Sequence, residues 1–305
     1  MAKISVIIVS YNMAREIPRT VHSFLPPYQK GLAPEDVEVI VLENGSTRPV
    51  DAKIKSRWPA QVHYKVVENP MPSPARALNQ GVALASADIV CPVIDGARMS
   101  SPGLLSGALK AMTGRNNAFV ATIGFHLGHK TQQEAVEDGY DQNHEDKLLD
   151  SISWPEDGYR LFEIAARAGS SRGAWFGSLP ESNAPVMQKS VYMKLGGYDE
   201  AFDIPGGGFV NLDFLSRASE MNDVDYMLLL GEATFHQYHD GVTTSRKVSI
   251  PEADGETTWQ KYVNQYRLIR KKSYTFPKRK PLLFGEFPLC TAKIAQEGLN
   301  HILSI

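Results

Sequence analysis

The feature that most constrains this chain is a short apolar run that ends abruptly at an acid and a glycine. Residues Ile89 to Ile94 do not alternate with polar residues, and Asp95-Gly96 follows at once. Such a run predicts a strand covered on both faces, as in a parallel sheet. Ligands of open α/β sheets bind just beyond the carboxyl ends of these strands. We therefore expect a ligand at Asp95 and Gly96, although Asp-Gly is also a common turn.

The residue types at this strand end suit a charged ligand. The carboxylate of Asp95 can hold a divalent cation through hard oxygen atoms. Gly96 has no side chain, so backbone can approach a ligand closely there.

The first hundred residues repeat the same layout of an apolar strand, a polar tip and an amphipathic helix. Runs rich in β-branched residues precede the polar tips Ser10-Tyr11-Asn12 and Glu43-Asn44-Gly45. Strands alternating with helices predict parallel β-α-β units with right-handed crossovers. The predicted elements are strands at 4–9, 37–42, 62–67 and 89–94 and helices at 14–25 and 75–84.

The second half is predicted to add further helices and strands around a polar insertion. Residues 126–150 are polar, and we expect a mobile insertion with some helix, although His126 and His129 are metal ligands by type. Trp175 is either an aromatic platform for a ligand or a packed core residue. The other predicted elements are helices at 102–112, 159–168, 257–272 and 290–305 and strands at 118–123 and 227–235.

Composition excludes several classes of protein. The net charge of −2 over 305 residues gives no electrostatic reason to expect nucleic acid or an anionic membrane as partner. Two cysteines cannot build a disulfide framework, which is consistent with a reducing cytoplasm. No apolar run reaches the ~20 residues of a membrane span. An oligomer is compatible with the sequence.

Four motifs in order resemble the nucleotide-sugar half of inverting family 2 glycosyltransferases, which have the GT-A fold. They are Ile7 to Asn12, Val41 to Thr47, Ala75 to Gly81 and Ile89 to Asp95. The resemblance implies an α/β, Rossmann-like, mostly parallel central sheet flanked by helices, with a C-terminal helical extension. It implies a catalytic domain at 1–245, divided into a nucleotide-sugar half (1–115) and an acceptor half (116–245), and an extension at 246–305.

The resemblance also implies which residues bind the donor. The loop after the first strand and Glu43 would frame the base, and a carboxylate can accept from the imide N–H of uracil. The family more often has aspartate at Glu43. The implied donor-binding residues are Ser10, Tyr11, Asn12, Glu43, Ser46, Arg76, Asn79, Asp95, Gly96 and Arg98.

The sequence departs from the family where two acids normally stand. The family usually reads Asp-x-Asp, but Ala97 occupies the second acidic position and Arg98 follows. Either Asp95 holds a divalent cation, Mn or Mg, with ligands from elsewhere, or arginines stabilise the leaving diphosphate without a metal. A late histidine often completes the metal shell in GT-A enzymes, so His236 and His239 are the expected further ligands, with a structural histidine pair as the alternative.

A second departure concerns the catalytic base. Residues 186–200 resemble the family's second signature, which usually leads to an acidic pair on a helix, but Val210-Asn211 stands there instead. Inverting transfer needs a carboxylate within reach of the acceptor hydroxyl. Asp213 is the nearest acid and Glu181 the second choice, although an acid at a helix start is also favoured by the helix dipole.

The sequence therefore predicts an inverting glycosyltransferase that moves a sugar from a nucleoside-diphosphate donor, with UDP as the expected nucleotide, to the hydroxyl of a sugar or glycoconjugate acceptor. The missing acids leave two alternatives open. One is a non-catalytic nucleotide-sugar binder or partner subunit on the same fold. The other is a nucleotidyltransferase.

Overall fold

A computed structural model describes residues 2–239, 241 and 251–304 of the chain. Its strands form a single sheet. They are β1 (Ile4–Ser10), β2 (Val37–Glu43), β3 (Val62–Val66), β4 (Ile89–Val93), β5 (Arg98–Ser100), β6 (Ala118–Leu127), β7 (Ala165–Arg167), β8 (Val186–Gln188), β9 (Asp225–His236) and β10 (Leu282–Gly285).

Helices flank this sheet. Among the described residues, the three longest lie in the second half of the chain. They are α1 (Ile17–Ser23), α2 (Ala52–Lys55), α3 (Ala75–Leu84), α4 (Leu104–Ala111), α5 (Gln132–Glu137), α6 (Gln142–Asp150), α7 (Lys189–Lys194), α8 (Val210–Glu220), α9 (Thr258–Arg270) and α10 (Leu289–Leu303).

The sheet is mostly parallel, as the sequence predicts. Its order is β10-β9-β6-β8-β4-β1-β2-β3, with β5 paired to β9 and β7 to β6. The pairs among β1, β2, β3 and β4 are parallel, as are β6 with β9 and β9 with β10. β8 runs antiparallel between β4 and β6 and joins the two halves of the sheet.

The strand register brings the polar tips together. Ser10 pairs with Glu43 across β1 and β2, and Ile8 pairs with Val93 across β1 and β4. The carboxyl ends of the three strands therefore share one edge of the sheet. Every residue of β1 and β2 is buried, which explains why their sequences do not alternate.

The polar insertion is more ordered than the sequence suggests. His126 lies in β6, and residues 132–150 form α5 and α6 rather than a mobile loop. β6 extends four residues past the predicted end because it pairs with both β7 and β9. The predicted helix at 159–168 is also wrong: a 3₁₀ helix at Gly158–Ile164 leads into β7.

The C-terminal part contains the expected helices and one additional strand. α9 and α10 form close to their predicted positions, and β10 extends the sheet by pairing with β9. The predicted domain boundary at 245/246 lies outside the described residues. Every helix in the described ranges is too short or too polar to span a bilayer. The cytoplasmic location stays a prediction.

Helix α3 lies so close to the sheet that its Gly81 admits no side chain. A Cβ atom there would come 2.4 Å from Ile7 Cγ2 and 2.9 Å from Leu42 Cδ2. We predict that Gly81→Ala lowers the free energy of unfolding by roughly 1–3 kcal/mol, because overpacking outweighs the better helix propensity of alanine. Urea unfolding measures the change. Leu84→Ala, on the exposed side of α3, is the control and should shift stability by about 0.5 kcal/mol or less. An unchanged Gly81→Ala protein would contradict the tight packing.

Candidate active site

A cavity of about 1160 Å³ opens at the carboxyl edge of β1, β2 and β4. The loops after these strands line one side of it, and loops of the second half line the other. Representative lining residues are Tyr11, Asn12, Asn44, Arg48, Asp95, Arg98, His126, Arg172, Glu181, Asn183, Asn211, His236, His239 and Trp259.

Asp95 and two histidines form a tight cluster in this cavity. Asp95 Oδ2 lies 2.9 Å from His236 Nε2 and 3.3 Å from His239 Nε2, and the two imidazole nitrogens are 3.2 Å apart. One potential ligand atom from each residue lies within 4.8 Å of the others. His236 ends β9, and His239 lies three residues further on in irregular backbone.

The electrostatics of the cluster are dominated by Asp95. Burial alone would raise the pKa of Asp95, but the adjacent imidazoles of His239 and His236 hold it well below its usual value. Burial acts to lower the pKa of His239, but the negative charge of Asp95 outweighs it and raises that pKa. Burial, together with the nearby charge of Arg98, lowers the pKa of His236 to about 3. An ionised carboxylate beside a neutral imidazole is a donor set that suits Mn and related divalent ions. The residues present therefore fit a divalent metal.

Gly96 serves the packing of the strand rather than a ligand. A Cβ atom at Gly96 would come 2.5 Å from the carbonyl oxygen of Val9 and 2.7 Å from Ile17 Cδ1. The close approach that the sequence suggests does occur, but it is made to β1 and α1. The Gly96 carbonyl accepts a 2.6 Å hydrogen bond from Thr20.

Arg98 brings an unpaired positive charge into the cavity. Arg98 belongs to β5 and is 8% exposed. Its Nε and Nη1 atoms have no hydrogen-bond partner among the described residues. Burial lowers the pKa of its guanidinium, while Asp95 and Glu181 act in the opposite direction. A buried cation without a partner is costly, so an anionic ligand would satisfy it.

The loops after β1 and β2 are locked to each other. Asn12 has a φ of 54°, and its Oδ1 accepts from the backbone N–H groups of Thr47 and Arg48. Its own N–H donates to Ser46 Oγ at 2.7 Å. Tyr11, 55% exposed, and Asn12 line the cavity. Two of the three residues predicted in the first loop thus reach the site.

Two other predicted donor-binding residues are buried in their strands and do not line the cavity. Ser10 is buried in β1. Glu43 is also buried, and its carboxylate accepts from the Ser46 hydroxyl and, at 2.5 Å, from the Tyr64 hydroxyl. Both oxygens of Glu43 are therefore used within the protein, so the contact with uracil stays a prediction without direct support from its placement.

Arg76 and Asn79 lie away from the cavity, on the side of α3 that contacts the loop after α7. Arg76 Nε donates to Glu200 at 2.9 Å. Asn79 bonds the backbone of Tyr198 through both ends of its amide. These residues attach α3 to the second signature, which explains their helical spacing without a ligand.

The two candidate bases lie in different surroundings. Glu181 is partly buried and lines the cavity, where its Oε2 accepts from Asn211 Nδ2 at 3.1 Å. Asn211 also donates to Asn183 Oδ1 at 3.0 Å. The amide that stands where the family has an acid therefore holds a carboxylate supplied by another loop.

Asp213 lies outside the cavity. It is 1% exposed, accepts from Arg217 Nε at 2.7 Å, and accepts from Arg270 Nε and Nη2 at 2.5 and 2.7 Å. Both carboxylate oxygens are thus occupied, and the group attaches α8 to α9. This placement favours a structural role for Asp213, and its predicted role as the catalytic base stays a prediction.

The aromatic platform predicted at Trp175 is a core residue. It is 1% exposed and its Nε1 donates to the Glu232 carbonyl at 3.1 Å. Besides Tyr11, two exposed aromatic residues of the C-terminal part line the cavity: Trp259 and Phe276 are 51% and 59% exposed. Trp259 packs edge-on against Phe209, with ring centroids 4.9 Å apart.

Some site residues were not predicted. Arg48 and Asn183 line the cavity but carry no local motif beyond a polar side chain in a loop. Gln132, in the insertion, contacts the histidine cluster. No spacing in the sequence marks these three residues, because their partners lie far away along the chain.

The comparisons with known proteins agree with this architecture. Residues 5–164, just over half of the chain, match the family model described as glycosyl transferase family 2. No curated protein matches the sequence.

Solved structures of S. aureus TarS share the fold. The complex with UDP-GlcNAc has a TM-score of 0.54 at 15% identity, covering 88% of this chain and 65% of that one. The complex with UDP has a TM-score of 0.52 at 12% identity and covers 77% of this chain. The match spans about 60% of the length of that TarS chain. At these identities the likeness shows the GT-A fold alone.

The contacts of Asp213 predict a structural role. We expect Asp213→Asn to destabilise the protein by roughly 3 kcal/mol, because two arginines lose their common counter-charge inside the α8–α9 contact. Chemical unfolding measures the loss. UDP affinity of the folded variant, measured by calorimetry, should equal that of the wild type. A stable variant that no longer turns over would instead return Asp213 to the catalytic role.

Proposed function

We propose a reaction for this chain from the premise that it belongs to glycosyl transferase family 2. In this reaction an acceptor hydroxyl displaces UDP from a UDP-sugar, with inversion at the anomeric carbon. The new bond joins the acceptor oxygen to that carbon, and the bond from the carbon to the β-phosphate oxygen breaks. The acceptor proton passes to a carboxylate of the protein. The cavity at the carboxyl edge of β1, β2 and β4 is the observation that carries the proposal.

Asp95, His236 and His239 would hold a divalent cation, Mn or Mg. Their ligand atoms already converge, and the ionised carboxylate with a neutral imidazole supports this assignment. When bound, such a cation neutralises charge on a diphosphate. A second imidazole would take the place of the carboxylate that the family usually has at the position of Ala97.

Arg98 would bind the diphosphate from the buried side. Its guanidinium lies in the cavity without a carboxylate in salt-bridge contact among the described residues. A planar fork of donors matches phosphate oxygens and remains charged throughout the reaction. The uncompensated charge favours a donor with an anionic leaving group.

Glu181 would be the general base. Its carboxylate lines the cavity on the side of the second half of the chain, and Asn211 orients it. Trp259 and Phe276, beside this side of the cavity, offer aromatic faces to the acceptor. Aromatic faces pack well against the apolar faces of sugar rings, which agrees with a sugar or glycoconjugate acceptor.

The reaction class is tested by incubating the protein with Mn²⁺ and a panel of UDP-sugars and measuring UDP release. The proposal expects UDP from at least one donor, faster with acceptor than by hydrolysis. Binding of UDP by calorimetry without any release would favour the non-catalytic binder, which the changes at Ala97 and Asn211 motivate. Release of pyrophosphate from a nucleoside triphosphate would favour a nucleotidyltransferase. Either result overturns the proposed transfer.

Replacement of the proposed base separates chemistry from binding. We predict that Glu181→Gln lowers kcat by about 100- to 10,000-fold, because the amide cannot take the acceptor proton, while the affinity for UDP stays within a few-fold. Steady-state kinetics and calorimetry measure the two quantities. The matched control is Glu163→Gln, at a surface acid paired with Arg160. Wild-type kcat in Glu181→Gln would exclude Glu181 as the base.

Removal of the buried guanidinium tests the diphosphate contact. We predict that Arg98→Met weakens UDP binding by about 10- to 100-fold and uridine binding hardly at all, since a charge-assisted hydrogen bond to phosphate is lost. Calorimetry with both ligands gives the comparison. Arg160→Met, at the surface, serves as control. Equal losses for UDP and uridine would indicate a collapsed pocket rather than a phosphate contact.

A further inference from the structure

The Gln132 side chain contacts His236 at Nδ1, the ring nitrogen that does not face Asp95. Gln132 is fully buried at the start of α5, although its side chain is polar. Its Oε1 lies 2.5 Å from His236 Nδ1, and its Nε2 donates to the His236 carbonyl at 3.0 Å. Its backbone N–H donates to His126 Nδ1 at 2.9 Å.

These contacts fix the orientation of the amide. A backbone carbonyl can only accept a hydrogen bond, so the group that faces the His236 carbonyl must be the NH₂ of Gln132. The amide oxygen then faces His236 Nδ1. Because that oxygen can only accept, Nδ1 must carry the proton of the neutral ring.

The tautomer decides what His236 can do. With the proton on Nδ1, the lone pair of a neutral imidazole lies on Nε2, the atom that faces Asp95 and His239. A metal-binding imidazole uses a nitrogen lone pair, and its other nitrogen is held by an outer partner.

The segment that carries Gln132 is itself held firmly against the site. Glu145 in α6 is fully buried and accepts from the backbone N–H of Tyr238 at 2.5 Å. Arg15 forms ion pairs with Glu145 at 3.1 Å and with Asp146 at 2.7 Å. The insertion is therefore attached both to the loop after β1 and to the residue before His239.

We propose that Gln132 is a positioning residue, which holds His236 in the tautomer and orientation that present Nε2 to a divalent cation. This inference rests on the cation site of the proposed function. It assigns a role to the polar insertion at 126–150, in which neither the sequence nor the family match marks Gln132. The Gln132 amide contacts Nδ1 of His236 and not Nε2, the atom that faces the cavity.

The test measures binding of Mn²⁺ alone, by the paramagnetic resonance signal of free Mn²⁺, with and without UDP. We expect Gln132→Leu to weaken binding about 10- to 100-fold, the typical cost of losing an outer partner of a metal ligand. Gln132→Glu keeps an acceptor for Nδ1 but loses the donor to the His236 carbonyl, so it should bind Mn²⁺ less tightly than the wild type and more tightly than Gln132→Leu. Gln296→Leu, in α10, is the matched control.

Nitrogen-15 spectra of the imidazole rings provide a second readout that does not depend on activity or metal. The wild type should show His236 protonated at Nδ1, and Gln132→Leu should show a mixture of tautomers. Thermal unfolding confirms that the variants are folded.

The outcomes separate this role from the cation site. Wild-type Mn²⁺ affinity and an unchanged tautomer in folded Gln132→Leu would overturn the positioning role and leave the cation site intact. No Mn²⁺ binding by the wild type, with or without UDP, would overturn both. If Gln132→Glu binds as weakly as Gln132→Leu, the amide acts through packing and the proposed role is wrong.

Discussion

The parallel pairing of β1 with β2 and β4 is the constraint on which the rest of the structure depends. It sets three carboxyl strand ends side by side and forces their loops to share one cavity. The burial of β1 and β2 on both faces stabilises this arrangement through the hydrophobic effect. Gly81 and Gly96 permit the close packing of helix and strand that keeps the edge aligned.

The charged side chains of the cavity do not fully compensate one another. Asp95 is compensated by two histidines, and Glu181 is held by an amide, but Arg98 remains buried without a counter-ion among the described residues. Outside the cavity the same chain pairs its buried charges closely, as at Asp213 with Arg217 and Arg270. The contrast is best understood as a site prepared for an anionic ligand.

At both positions where the sequence departs from the family pattern, residues from distant parts of the chain bring imidazole or carboxylate groups close. Ala97 lacks the second acid, and His236 and His239 bring ligands from the end of β9 to Asp95. Asn211 stands where the family has a carboxylate, and its amide binds Glu181 from the loop before β8. The insertion then stabilises the histidine side through Gln132, so a polar segment without a motif becomes part of the site.

The sequence by itself determined the alternation of strands and helices and the position of Asp95 at a strand end, because these follow from local hydrophobic patterns. The resemblance to the family predicted the grouping of Asp95 with His236 and His239. Only the tertiary structure showed that Asp213 is held by two arginines and that Glu181 lines the cavity. It also placed Arg76 and Asn79 away from the cavity and brought Gln132 to His236. The physical reason is that a side chain's role depends on which partner satisfies its charge and hydrogen bonds. Apart from Arg217, which follows Asp213 by one helical turn, the side-chain partners of these residues lie between 30 and 124 positions away, where no sequence pattern reaches.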